Sequence, residues 1–537
     1  MNDIADYIVV GSGCAGAIAA ETLVESGASV VMLDVGIDTK YAPLIPDKDY
    51  LTIRKTEADQ HRYFLGDDSE GLAWGKVGKG EQITPPRKHI LQLVDKYVPV
   101  DSKTFFPVES LGYGGLGIGW GIGCWEFSKT EQAAAKLDTT QMSDAYTAVA
   151  KRIGISAQKD GAQEYTISDL EGYQPAAKMD RNHSLIYKKY LAKQKSFEKQ
   201  GFTMGRAPLA LLTKDLGDRK KYAYRDMDYY SDKDQSAWRP WMTVNSLRKK
   251  RNFTYVGSTL VLTFVEKKDH VEVHCLNTET NQKVVHRCKR LVLGSSALGS
   301  ARIALRSFGK ENHKLPLLCN PYSYVPCIQT AMLGKEAEKK KLGFAQLSLF
   351  LDESRRNMDL SMASIYGYQS LMLFRIIKQA PLDFVDARTI MRYLMSGIVI
   401  MGIHQSDKPT DKKFIELIAD KHSITGDALK AKYALSAVEA AEKERREKKY
   451  VAAMRKVGVH AIKRIDPGFG ASIHYAGTLP FSDDEEPFSL SPSGRLHGTR
   501  NVYVADSAGF NYLPAKGLTF SILANAHLTA KNAIEHV

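Results

Sequence analysis

The chain of 537 residues contains no apolar run longer than about seven residues, GIVIMGI at 397–403. A membrane-spanning helix needs roughly 20, so a soluble or peripheral protein is expected. Cysteine is scarce: there are six, at 14, 124, 275, 288, 319 and 327, with no CxxC and no Cys/His ligand spacing. Neither a disulfide framework nor a metal site is therefore expected, and the thiols read as reduced in a cytoplasmic protein. The opening residues, MNDIADYIVVGSG, show no basic leader and no cleavage site, so no secretory signal is expected. Also missing is any Lys/Arg patch interleaved with aromatics. The net charge is +13, but the excess is spread thinly, and nucleic acid is not an expected partner. The densest runs, KEAEKKK (335–341) and EKERREKK (442–449), mix acids with bases as solvated helix faces do. With 44% hydrophobic and 25% charged residues, intrinsic disorder is excluded as the main organisation. The length allows a large core and about two to four domains.

What is present begins at the N-terminus. DYIVV (6–10) is a short β-branched run suited to a buried parallel strand. Gly11-Ser-Gly13-Cys-Ala-Gly16 follows at once, then AIAAETLVESG with helical spacing, then SVVML leading to Asp34. Strand, GxGxxG, helix, strand and acid form the βαβ dinucleotide fingerprint in its required context. The first glycine makes the tight turn, the second lets a pyrophosphate approach, and the third lets helix and strand pack closely. The helix N-terminus offers free N–H groups to the phosphates, and Asp34 can accept hydrogen bonds from ribose hydroxyls. FAD and NAD are not separated by this segment.

Residues 111–127, LGYGGLGIGWGIGCWEF, hold seven glycines, too many for a regular helix or strand. Trp120, Trp125 and Phe127 make a solvated linker a poor reading, and a backbone lying against a flat ligand a better one. Further on, TLVLTFVEKKDHVEVHCL (259–276) alternates like a strand pair with its turn at KKD, and RLVLGSSALGSARIALRSF (290–308) reads as strand, turn and helix. The C-terminal part contains ASIHYAGTLPF (471–481), then NVYVAD, a strand ending in Asp506, then a helix opened by Lys516-Gly517.

At these residues the chain resembles the GMC (glucose–methanol–choline) family of FAD-dependent oxidoreductases, across most of its length. The matching pieces are the N-terminal fingerprint, GSSALGSARIAL, the terminal H-x-x-G-T, VYVAD and the closing helix. Gly114-Gly115 and Trp120 look like the GGxxxxW flavin loop of the sugar-oxidising, pyranose oxidase-like branch. The histidine that carries flavin covalently in some of those enzymes falls at Gly119, so non-covalent FAD is implied. The resemblance implies an α/β fold: a Rossmann-like FAD-binding domain with an inserted α+β substrate domain of antiparallel sheet plus helices. The FAD-binding domain would take 1–155, 246–312 and 465–537, and the substrate domain 156–245 and 313–464. Contacts to FAD are expected from Gly11, Gly13, Gly16, Asp34, Gly114, Gly115, Trp120, Val261, Ala297, Asp506, Gly517 and Thr519.

His474 fills the family position whose histidine takes the substrate hydroxyl proton while hydride passes to flavin N5. A base titrating near neutrality suits that step. The second catalytic position, a histidine or asparagine in the family, falls at Gly517, which has no side chain. For Lys516, adjacent to Gly517, three readings are open: it holds the substrate oxygen, it stabilises the reduced flavin ring, or it is solvated. His404 and Tyr475 are further candidates for the missing contact. The stretch 370–397 interleaves apolar residues with Arg375, Lys378, Arg388 and Arg392. Core or lid helices, a subunit interface, and a lid against a lipid-linked substrate or anionic bilayer are the readings open for it.

The leading expectation is oxidation of a carbohydrate or glycoside hydroxyl to a carbonyl, with oxygen or another acceptor taking the electrons. The departure at Gly517 keeps a non-oxidative flavin enzyme of the lyase or decarboxylase type as the alternative. A binding protein that retains FAD only as a structural element is a third reading, against which His474 argues.

Overall fold

Tyr7, Ile8, Val9 and Val10 are buried on both faces, as a strand between two parallel neighbours must be. In the computed structural model, which describes residues 4–38, 56–59, 89–169, 171–224, 232, 234–336, 338, 342–367 and 383–535, they form the strand Ala5–Val10. It sits in a seven-stranded sheet between Val30–Leu33 and Lys283–Leu293, parallel to both. Phe253–Val256 extends the sheet beyond Val30–Leu33, also in parallel.

The strand Lys283–Leu293 changes partners along its length. Its first half pairs antiparallel with Val271–Asn277, which forms a hairpin with Thr259–Glu266 around the expected KKD turn. Its second half runs parallel to Ala5–Val10 on one side and Val502–Val504 on the other. Helix Cys14–Glu25 follows the first strand and packs against the closing helix Thr519–Glu535.

A second, six-stranded sheet is antiparallel throughout. Its order is Val459–Ala461, Tyr322–Gln329, Ile398–Gln405, Ser361–Gly367, Ala345–Leu351 and Phe202–Arg206. Tyr190 and Phe197 from one helical region, and Tyr450, Ala453 and Met454 from helix Ala437–Arg455, share its separate hydrophobic cluster. That helix contains EKERREKK, and its charged face is not wholly solvated. Lys443 and Glu447 are buried and paired at 2.9 Å, and Lys443 also reaches Asp466 at 2.7 Å. Four residues of KEAEKKK and residues 370–382, with Arg375 and Lys378, lie outside the described residues, as do the side chains of Arg388 and Arg392 in the helix Phe384–Leu394 that follows. Among the described residues no helix is long and apolar enough to cross a membrane.

Candidate active site

A cavity of about 600 Å³ is lined by residues of both sheets, from the glycine turn at Gly11 to His474. At one end stands the N-terminus of helix Cys14–Glu25. Gly13 caps it without any side-chain hydrogen bond, and the first turn carries no acid. Its free N–H groups and partial positive charge are therefore open to an anion. Gly11, Gly13 and Asp34 line the cavity, whereas Gly16 has a packing role. A Cβ on Gly16 would lie 1.9 Å from the Gly11 carbonyl oxygen, so only glycine lets the helix start this close to the strand.

Asp34 accepts hydrogen bonds from Ser12 Oγ at 2.5 Å and Tyr255 Oη at 3.0 Å. Burial pushes its carboxyl up to about 6 against those bonds. Asp506 is held in the same way, by Ser300 Oγ at 2.6 Å and the Ala508 N–H at 2.9 Å, and burial likewise pushes it up to about 6. The glycine-rich segment makes one short 3₁₀ turn, Gly115–Ile118, and otherwise irregular backbone along the cavity. Gly115 and Trp120 line it, as do Val261, Ala297, Gly517 and Thr519. Gly114 is not in the wall; its N–H donates to Ser12 Oγ at 2.8 Å and so steadies the turn. An uncapped helix end, a buried acid on the neighbouring strand and a side-chain-free wall fit a dinucleotide such as FAD.

The other end is built around two histidines. The short strand Tyr475–Ala476, paired with Leu318–Cys319, carries His474 at its start. Its Nδ1 lies 2.8 Å from Asn320 Oδ1, and burial pushes its pKa down to about 4. His404, on the strand Ile398–Gln405, stacks on His474 with ring centroids 5.1 Å apart and planes 23° apart. Tyr322 stacks on His404 at 4.5 Å. The His404 Nδ1 is buried with no hydrogen-bond partner among the described residues. Burial and the neighbouring His474 hold His404 well below the ordinary histidine value.

Two expectations need correction. Lys516 does not line the cavity: its Nζ is 2.7 Å from Glu131 Oε2, both side chains fully buried, and it donates to the Glu126 carbonyl at 3.2 Å. Glu131 is the capping-box acid of helix Lys129–Ala134. Lys516 thus pins the loop before the last helix to the helix Lys129–Ala134, and the ion pair holds its amine out of the cavity. Tyr475 lines the cavity, but its hydroxyl donates to the Gly470 carbonyl at 2.6 Å and accepts from the Val108 N–H at 2.9 Å. It has no hydrogen left to offer a substrate.

The absence of a side chain at 517 has a steric cause. The Trp125 indole lies against Gly517, where a Cβ would meet its Cε3 and Cζ3 at 3.0 Å, and a Cβ on Gly123 would fall 2.1 Å from the same ring. Trp125 Nε1 donates to Ser348 Oγ at 2.9 Å, which fixes the ring between two glycines. The sequence reading missed Asn320, Ser12, Tyr255 and the buried Glu109–Arg302 pair, which also lines the cavity. Asn320 precedes a proline at a strand start, with no motif around it to mark it.

Residues 400–526 match the GMC oxidoreductase family in its C-terminal region. No curated protein matches the chain by sequence. Among solved structures, pyridoxine 4-oxidase from Mesorbium loti is similar over 99% of this chain and 100% of its own, with TM-score 0.58 and 13% identity. A fungal aryl-alcohol oxidase is similar over 100% of this chain and 99% of its own, with TM-score 0.54 and 12% identity. At such identities the likeness concerns the fold.

Proposed function

We propose, from the premise that this chain is a GMC oxidoreductase by its C-terminal match, that it uses non-covalent FAD to oxidise a hydroxyl of a neutral carbohydrate or glycoside to a carbonyl. The observation that carries this reading is the pair His474 and His404 at the far end of a cavity whose near end fits a dinucleotide. When bound, FAD would accept the hydride from the hydroxyl-bearing carbon. His474 takes the hydroxyl proton: burial keeps the ring unprotonated at neutral pH and so free to accept. His404 supplies the contact to the substrate oxygen that glycine at 517 cannot. The non-oxidative alternative drew its support from that missing side chain, and a second imidazole removes the need for it.

The carbohydrate reading draws on the walls around the histidines. Trp125, Tyr322, Tyr324, Phe344 and Tyr366 offer flat aromatic faces, and Ser364 a hydroxyl. The charged residues in the described lining, Asp34, Glu109, Arg302, Arg306 and Asp506, belong to the dinucleotide-binding sheet, its helices and the loop just before the glycine segment. A neutral ring that stacks and hydrogen-bonds suits the histidine end. Gly119, also in the wall, has no side chain to bond flavin, which supports non-covalent binding.

The test is anaerobic bleaching of the yellow protein by a panel of monosaccharides, glycosides, aminosugars and aryl alcohols. Bleaching by a sugar or glycoside is the expected result. Bleaching by aryl alcohols alone would replace the carbohydrate reading, and bleaching by none of the panel would sink the oxidation reading.

A further inference from the structure

We propose that Asn320 is a positioning residue that holds His474 with its proton on Nδ1 and its lone pair on Nε2, open to the cavity. The proposal rests on His474 as the base and goes further, because it names what keeps that base in its usable form. A neutral imidazole has two tautomers, and only one leaves Nε2 able to accept a proton. Whatever faces Nδ1 decides between them, and here that is the Asn320 side-chain amide at 2.8 Å.

An amide can present its oxygen or its nitrogen, and the neighbours tell which. Asn320 Nδ2 lies 2.7 Å from the Gln405 carbonyl oxygen and 2.9 Å from the Pro514 carbonyl oxygen. Both of its N–H bonds are therefore spent on acceptors. Turning the amide over would set oxygen against two carbonyl oxygens with no hydrogen between them. The residue is 2% exposed, so water does not make good that loss. Oδ1 thus faces His474, and an amide oxygen only accepts. The ring must donate from Nδ1, which leaves Nε2 bare.

The other groups packed around His474 do not compete for that nitrogen. His404 stacks on the ring with planes 23° apart, and Tyr322 lies tilted against His404 at 4.5 Å. Cys319 Sγ sits 3.3 Å from Ser472 Oγ, and the Tyr475 hydroxyl is spent on Gly470 and Val108. Of the nearby acids, Glu109 is tied to Arg302, and Asp407 to Lys413, Tyr433 and the Cys319 N–H. A neutral partner also orients the ring without adding charge. A carboxylate there would stabilise the imidazolium and hold the proton after transfer. The same amide ties together three separate pieces of the site: the strand end next to His404, the loop leading to Gly517, and His474.

The test uses FAD-loaded protein labelled with 15N-histidine, the His474 signals being assigned by their loss in His474→Asn. Around neutral pH, Nδ1 should carry the hydrogen and Nε2 should not. A protonated Nε2 with bare Nδ1 in the wild-type protein overturns the proposal, whatever any variant does. Asn320→Leu, which keeps bulk but offers no acceptor, should give a mixture of tautomers. Its flavin reduction by the fastest-bleaching sugar should slow about 10- to 100-fold, as when other partners that orient an imidazole are lost. A pure Nδ1–H tautomer retained in Asn320→Leu would also overturn it. Because the spectra need no substrate, a failure of the sugar panel and a failure of this proposal remain distinguishable.

Discussion

The two ends of the cavity are built on different plans. At the dinucleotide end the parts are close in sequence: turn, helix start and acid all fall between Gly11 and Asp34. Its charged groups have partners within the protein, Asp34 the Ser12 and Tyr255 hydroxyls, Arg302 the Glu109 carboxylate. At the histidine end each part comes from a different stretch of chain: Asn320, His404, His474 and, across the cavity, Trp125 against Gly517. There one nitrogen, His404 Nδ1, is left without a partner among the described residues. On the proposed reading, the difference is that between holding a group and transforming one. Binding is served by completed hydrogen bonds and shape, whereas proton transfer needs a lone pair kept open.

The largest expected effect strikes the histidine end alone. His474→Ala should retain FAD yet slow flavin reduction by substrate about 100- to 10,000-fold, the usual contribution of a general base. Raising the pH should restore part of the rate, because substrate ionised in solution needs no base. Stopped-flow reduction within about threefold of wild type would mean that the two ends do not divide labour in this way.

Lys516→Met sharpens the contrast from the structural side. It strands the Glu131 carboxylate in a fully buried position, at a cost of about 3–5 kcal/mol, read as a lower Tm. Flavin reduction in the folded fraction should be little changed. A stable Lys516→Met protein with a slowed reduction step would instead return that lysine to the chemistry.

Asp34→Ala should do the reverse of His474→Ala. FAD retention should weaken by about 1.5–3 kcal/mol, for a lost bond to a charged acceptor, while reduction of the bound fraction stays near normal. Equilibrium dialysis of FAD measures the first effect, and unchanged affinity would show that Asp34 only braces Ser12 and Tyr255.

Gly517→Ala is expected to cost about 1–3 kcal/mol, because the new methyl meets the Trp125 ring at 3.0 Å. Trp125→Phe, with its smaller ring, should relieve it in the double variant, and a double-mutant cycle in urea checks the coupling. The mildest test is pH. With His474 at about 4, against an ordinary 6.5, the base is free throughout the neutral range. Flavin reduction should therefore be flat there and fall only as pH drops through about 4. An acid limb near 6.5 would place the base in a more solvated or charged setting.

The sequence made the dinucleotide end readable because the constraints there are local. Two glycines of the first turn are demanded by local backbone geometry: Gly11 takes a φ of +93°, and a Cβ on Gly16 would lie 1.9 Å from the Gly11 carbonyl oxygen. The expected strands at 6–10 and 290–293, the hairpin around KKD and the closing helix all appear, since each declares itself through its own periodicity. His474 was legible for a different reason, its place in H-x-x-G-T. Asn320 was not, because its importance arises only when two carbonyls and an imidazole converge on it from remote segments. Lys516 misled for the complementary reason: adjacency to Gly517 said nothing of where its long side chain would find a partner, and Glu131 lay on another helix.

The strand Lys283–Leu293 has a consequence for how the protein comes to exist on the ribosome. Its far half receives Ala5–Val10 on one flank and Val502–Val504 on the other, and helix Thr519–Glu535 then packs on Cys14–Glu25. The first strand is synthesised long before its partner at 283–293, and the strand Val502–Val504 follows later still. During that interval the growing sheet carries an open, apolar edge, the kind of surface that chaperones cover and that otherwise aggregates. A chain that has not reached residue 502 lacks one flank of the sheet and the residues at 514–519 that approach His474 and Asn320, so the cavity is complete only once these late segments have joined the early ones.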